Sequence, residues 1–160
     1  MKTLINIADL KGTSIINENV DEKYLIEAIE SAQSLYLEEI IGCKLLNKLL
    51  DGVTEDGFTL DNSYYELVVN YIQPYLKRRI AASLVLPLNY KFRNAGMVVN
   101  NAENYTVPTL KEAMSVQQHL EDEANAFADK LIKYLNNNSN LFPEYCCRRP
   151  NTNTIIYLGL

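Results

Sequence analysis

Between Ser63 and Tyr90 the chain places apolar residues on nearly every side of a helix, in the run SYYELVVNYIQPYLKRRIAASLVLPLNY. A helix that is apolar all round is enclosed by other helices instead of lying on a surface, so this segment predicts the centre of a bundle, capped at Asn62 or Ser63. Pro74 interrupts it. The ring removes one backbone donor and crowds the carbonyl of Asn70, and a kink or a break is expected there. Two one-sided helices are predicted around that centre. Over residues 21–41, Leu25, Ile29, Ala32, Tyr36 and Ile40 recur at spacings of three and four, one stripe down a helix of about six turns. Asn19 and Glu22 cap its start, and Gly42 closes it in a left-handed conformation. Over residues 109–136, Ala113, Leu120, Ala124, Phe127, Leu131 and Leu135 form a second stripe. Thr109 and Glu112 supply a capping box, and Lys130 and Lys133 stand in the final turns, where they favour the helix dipole.

The remaining stretches read as shorter pieces. Residues 43–50 predict a short helix with Leu45, Leu46, Leu49 and Leu50 inward, and the Asp56-Gly57 signal after it predicts a loop or small hairpin. Residues 1–18 predict an irregular arm with one turn of helix, packed on the bundle. After Pro87 the periodicity is lost. The β-prone patches 97–99 and 105–107, flanked by Gly96, Asn100, Asn101 and Asn104, predict a loop or two-stranded ribbon, either a place to meet partners or simply a solvated excursion. The fold class is therefore all-α: a helical bundle built on a long Pro-kinked central helix, with a projecting loop or small β-ribbon and an extended C-terminal arm. Residues 1–145 make one domain, with 1–18 its N-terminal arm, and 146–160 the C-terminal arm. Ile155, Ile156, Tyr157 and Leu158 in that arm could add a strand to a partner's sheet edge, or fold back on their own bundle.

Length supports this picture: 160 residues suffice for one core that buries roughly two-thirds of the unfolded surface, without metal or disulfide. Eleven tyrosines against no tryptophan suit either partner-facing surfaces or a core capped by hydroxyls in water. A net charge of −5 argues against gripping nucleic acid over a broad basic face, but suits a wall past which DNA must slide. Lys77, Arg78 and Arg79 break the most hydrophobic run, so no membrane span is expected, and the N-terminus lacks the continuous apolar core of a signal peptide; a soluble chain made in the cytoplasm is the expectation. Three cysteines, two of them adjacent (Cys146 and Cys147), predict no disulfide framework.

Candidate chemistry is sparse. His119 is the single histidine and lacks ligands at a metal-like spacing; it reads as a partly exposed helical residue. Arg148 and Arg149 could lower the pKa of the neighbouring thiols, but no general base accompanies them. With no phosphate loop, metalloprotease helix, nucleophile elbow or paired CxxC motif, neither an enzyme nor a cofactor nor a metal is expected. Charge is more telling. The first long helix is acid-rich, including Glu27, Glu30, Glu38 and Glu39, whereas Lys77, Arg78, Arg79, Lys91 and Arg93 make the middle of the chain basic. Two readings stand. Either neighbouring helices of one bundle pair their charges, or subunits do, with Lys77, Arg78 and Arg79 of one copy facing Glu27, Glu30 and Glu38 of the next in a head-to-tail ring.

The stretches AIESAQSLYLEEIIGCKLLNKLL (28–50), YYELVVNYIQPYLKRRIAAS (64–83) and ADKLIKYLNNNSNLFPEY (128–145) resemble the head-tail connector proteins of tailed bacteriophages, nearest to the small adaptor or head-completion proteins in phages and prophages of Bacteroides-like bacteria. That resemblance implies an all-helical, non-enzymatic virion protein that assembles as a ring, typically twelve-fold, beneath the portal protein. There it extends the channel for passing DNA and offers a docking surface to a stopper or tail-completion protein. It implies residence in the virion neck, and in the host cytoplasm before assembly, with the C-terminal arm (Ile155, Ile156, Tyr157, Leu158) reaching onto the portal. The competing expectation from the residues alone is a small helical protein-binding or regulatory module, phage-encoded and acting as a monomer or dimer.

Overall fold

The computed structural model describes residues 2–13, 15–54, 57–94, 96–99 and 108–145. The fold is mainly helical. In chain order come α1 (Ile7–Lys11), α2 (Glu22–Ser31), the π-helical segment π1 (Ala32–Leu37), α3 (Glu38–Ile41), α4 (Cys43–Asp51), strands β1 (Val53–Thr54) and β2 (Gly57–Phe58), α5 (Asn62–Leu67), π2 (Val68–Ile72), α6 (Gln73–Asn89), strands β3 (Tyr90–Arg93) and β4 (Gly96–Val99), and α7 (Leu110–Asn137).

The predicted helix over 21–41 forms, with its stripe shifted. Leu25, Ile29 and Ala32 are buried as expected, but beyond them Gln33, Leu37 and Ile41 turn inward while Tyr36 faces solvent. The cause is π1. A π turn carries an extra residue, so positions past it rotate, and the stripe that an unbroken helix would run through Tyr36 and Ile40 passes one residue later. The N-cap is Asp21, whose carboxylate accepts from the Lys23 N–H, and not Asn19, which lies in the turn before the helix. Gly42 does end the helix at positive φ, but with φ 81° and ψ 153° it is extended in ψ and not left-handed helical. That geometry aims the chain straight into α4, where Leu45, Leu46 and Leu49 are buried and Leu50 is half-buried.

From residue 62 to residue 89 the chain stays helical, so the break anticipated at Pro74 does not occur. Pro74 is the second residue of α6, directly after π2. A widened turn is where a ring without an N–H is accommodated at least cost to the hydrogen-bond ladder. Leu76, Ile80, Ala81, Ala82 and Leu84 of α6 are buried against α7 and α2, its principal neighbours. The capping box of α7 is present in full: the Thr109 hydroxyl accepts from the Glu112 N–H, and the Glu112 carboxylate accepts from the Thr109 N–H at 2.8 Å. Its inward stripe is Ala113, Leu120, Ala124, Leu131 and Leu135 as anticipated, with Ala128 added and Phe127 only half-buried. The helix runs on to Asn137, so Lys130 and Lys133 stand before the last turn and not in it.

The turn signal at Gly57 makes a hairpin, pairing Val53 with Phe58 and Thr54 with Gly57. A ribbon follows the central helix, with β4 pairing back onto Tyr90–Arg93; the second β-prone patch, 105–107, lies outside the described residues. Leu4, Ile5, Leu10 and Ile16 of the N-terminal arm are buried in the common core. At the other end Phe142 is fully buried, edge-on to Tyr64 with ring centres 5.3 Å apart, and Tyr71 stacks on Tyr134 at 4.0 Å. These tyrosines close the core with their rings. No helix among the described residues is long and apolar enough to cross a membrane.

Candidate interaction surfaces

The first turn of π1 carries a buried glutamine. Gln33 is 2% exposed, the one polar side chain buried among the described residues. Its Oε1 accepts from the Leu4 N–H at 2.6 Å and its Nε2 donates to the Lys2 carbonyl at 3.4 Å. Gln73, the first residue after π2, donates from Nε2 to the Leu4 carbonyl at 3.1 Å. A buried main-chain group without a partner is expensive. Here two side-chain amides, one within π1 and one directly after π2, satisfy both main-chain groups of Leu4 and pin the arm to the bundle.

Beyond the pinned arm lies a recess of about 1000 Å³, lined in part by Thr3, Phe58, Tyr65, Val68, Val69 and Gln73. Its far wall is apolar. Tyr65 is 50% exposed, Val69 is also exposed, and the Phe58 and Tyr65 rings are 6.1 Å apart.

The basic segment of the central helix lies on a different face. The Arg78 Nε is 2.9 Å from Glu123 and the Arg79 guanidinium is 3.7 Å from Glu121, both carboxylates on α7. Arg79 also stacks 3.5 Å over the Tyr36 ring that π1 turned outward, while its Nε is buried without a partner among the described residues. Tyr75 beneath is buried, and burial pushes its phenol up to about 12 against the opposing pull of Arg79. Glu123 also stands 3.8 Å from the exposed His119. Arg78 and Arg79 thus find partners inside their own chain, on α7 and not on the acidic first helix. Lys77, Glu27, Glu30 and Glu38 make no ion pair among the described residues.

A third cluster fixes the end of the described chain. The Tyr64 hydroxyl donates to Glu144 at 2.8 Å, and Lys48 stands 3.7 Å from the same carboxylate. Desolvation pulls the Glu144 pKa upward, but hydrogen bonds from its own backbone and from Tyr64, together with Lys48, outweigh it and hold the carboxyl below its ordinary range. Desolvation and the same carboxylate push Tyr64 up to about 12.

Ile155, Ile156, Tyr157 and Leu158, like Cys146 and Cys147, lie outside the described residues; Cys43 is exposed. No group of three or more metal-ligating side chains occurs among the described residues. The roles of Gln33, Gln73 and Tyr36 are not visible in the apolar spacing. The one sequence hint is that Gln33 abuts Ala32 on the predicted stripe.

Residues 37–155 match the model of a family whose function is unknown. No curated protein and no solved structure matches the chain.

Proposed function

For this chain, which belongs to the DUF6712 family, we propose the role of a structural virion protein: a head-tail connector that assembles as a ring beneath a portal protein. In that role it extends the DNA channel and presents the next docking surface to a stopper or tail-completion protein. The observation that carries the proposal is the resemblance of residues 28–50, 64–83 and 128–145 to such connectors. Those same stretches supply much of the common core, including Leu37, Ile41, Ile72, Ile80, Leu131 and Phe142.

In this role the bundle is built on the central helix, kinked at Pro74, and the C-terminal arm with Ile155, Ile156, Tyr157 and Leu158 reaches onto the portal. Contact between subunits falls to Lys77 on one side and to Glu27, Glu30 and Glu38 on the other, charges without an intramolecular partner among the described residues. Arg78 and Arg79 are already engaged with α7, so they brace the face that carries Lys77. Opposite charges on two sides of each copy favour head-to-tail contact, and closure of that contact gives a ring.

Electron microscopy of the purified protein mixed with the portal encoded beside it tests the proposal: a ring of density added below the portal is expected. Absence of the chain from purified virions would sink it. A second reading, a helical module that binds a protein partner as a monomer or dimer, draws on the recess beside the half-exposed Tyr65. Gene neighbourhood separates the two, since a connector sits among portal, capsid and tail genes.

A further inference from the structure

The recess between the N-terminal arm and Tyr65 has features of a site for an extended apolar segment. One wall carries hydrogen-bonding groups. Thr3 keeps its main-chain N–H and C=O unpaired among the described residues, and Gln73, with Nε2 committed to Leu4, leaves Oε1 without a partner there. The opposite wall is apolar, made by Phe58, Tyr65, Val68 and Val69. Main-chain pairing along one side and side-chain pockets along the other are what strand-like peptide recognition requires.

The chain itself contains a segment of that chemistry. After Tyr145 come nine residues, 146–154, and then Ile155-Ile156-Tyr157-Leu158. Nine residues reach up to about 30 Å when extended. The starting point is favourable: Glu144 is held by the hydroxyl of Tyr64, the neighbour in sequence of the Tyr65 that lines the recess. Charge agrees as well. The only charged residues between Tyr145 and Leu160 are Arg148 and Arg149, and the α5 region they leave from exposes Asp61 and Glu66.

We propose that Ile155–Leu158 docks in this recess of its own subunit, so that each isolated chain covers its apolar wall with its own C-terminal arm. Docking holds whether or not the chain is a connector. If it is, the arm must leave this recess to reach a portal, and release of the arm is then coupled to assembly by mass action, because a partner that captures the arm shifts the docked equilibrium.

Crosslinking of the isolated full chain tests docking. Cys43, Cys146 and Cys147 are replaced by serine, and Val69→Cys is combined with Tyr157→Cys. A short bis-maleimide should join the two thiols within one chain, with a yield independent of protein concentration, while a control pair of Met114→Cys with Tyr157→Cys should not link. Linked dimers whose yield grows with concentration would show exchange between copies and overturn docking in cis. So would reactive but unlinked thiols. A measurement without introduced cysteines guards against misfolded variants: in a chain ending at Arg149, the Thr3 and Phe58 amides should exchange about tenfold faster than in the full chain, and equal rates overturn the proposal. No portal enters either experiment, so failure here leaves the connector role standing, and failure to find the chain in virions leaves docking standing.

Discussion

Arg79→Ala should weaken the fold, whereas Lys77→Glu, two positions earlier on the same helix, should weaken only assembly. The Arg79 side chain is 16% exposed, lies 3.5 Å over Tyr36 and stands 3.7 Å from Glu121. A guanidinium on an aromatic face at a partly desolvated site contributes about 1–2 kcal/mol. A half-exposed ion pair adds at most about 1 kcal/mol, and the buried methylene stem about 1 kcal/mol more. Against these stands the buried Nε without a partner among the described residues, whose removal returns about 1–2 kcal/mol. The net loss is about 2 kcal/mol, or about 4–8 °C in thermal midpoint for a domain of this size. Lys77 is half-buried without an ion pair among the described residues, and such substitutions stay within about 0.5 kcal/mol. Thermal unfolding by circular dichroism, beside a ring-formation assay on the portal, separates the two. A midpoint shift below about 1 °C for Arg79→Ala would refute the assigned weight of the Tyr36 stack. Loss of stability in Lys77→Glu matching its loss of ring formation would refute its assignment to the interface.

Gln33→Leu leaves the buried Leu4 N–H without its 2.6 Å acceptor, and should cost about 1–3 kcal/mol in denaturant unfolding, with accelerated amide exchange at Leu4; unchanged exchange there would count against the pinning role. Gly42 has φ 81° and ψ 153°, and a methyl group at its Cα would find no neighbouring atom within 4 Å. Gly42→Ala therefore meets no clash, only backbone strain of about 1–3 kcal/mol, and an unaltered urea midpoint would contradict it. Tyr64 and Tyr75 are both raised from 10.0 to about 12 in the folded chain. The unfolded chain therefore ionises first, so their contribution is full below pH 10 and is lost as pH rises towards 12. Denaturant midpoints should fall across that window, less steeply in Tyr75→Phe, and a flat profile would refute the assignment.

How much could be read from the residues depended on the range over which each signal acts. The Thr109 and Glu112 box, the Gly57 turn and the Gly42 stop are decided by chemistry within a few residues, and each is found at its place. Even so, the cap of α2 fell to Asp21, because an adjacent carboxylate can reach the Lys23 N–H directly. Gln33 and Gln73 act across 29 and 69 positions, and no local pattern marks a glutamine that will bond to a distant main chain. Charge counting likewise identified Arg78 and Arg79 but not their partners, since surplus acid on the first helix says nothing about which helix lies beside α6; the nearer carboxylates belong to α7.

The largest departure comes from a single turn. Apolar spacing presumes 3.6 residues per turn, and nothing in AQSLYL excludes the wider one. Because Ala32–Leu37 takes it, Leu37 faces inward and Tyr36 faces outward. The second consequence bears on the proposed role: Tyr36 receives the guanidinium that braces the Lys77 face. A regular helix over the same residues would bury Tyr36 and turn Leu37 away from the core, and would thereby remove the stack.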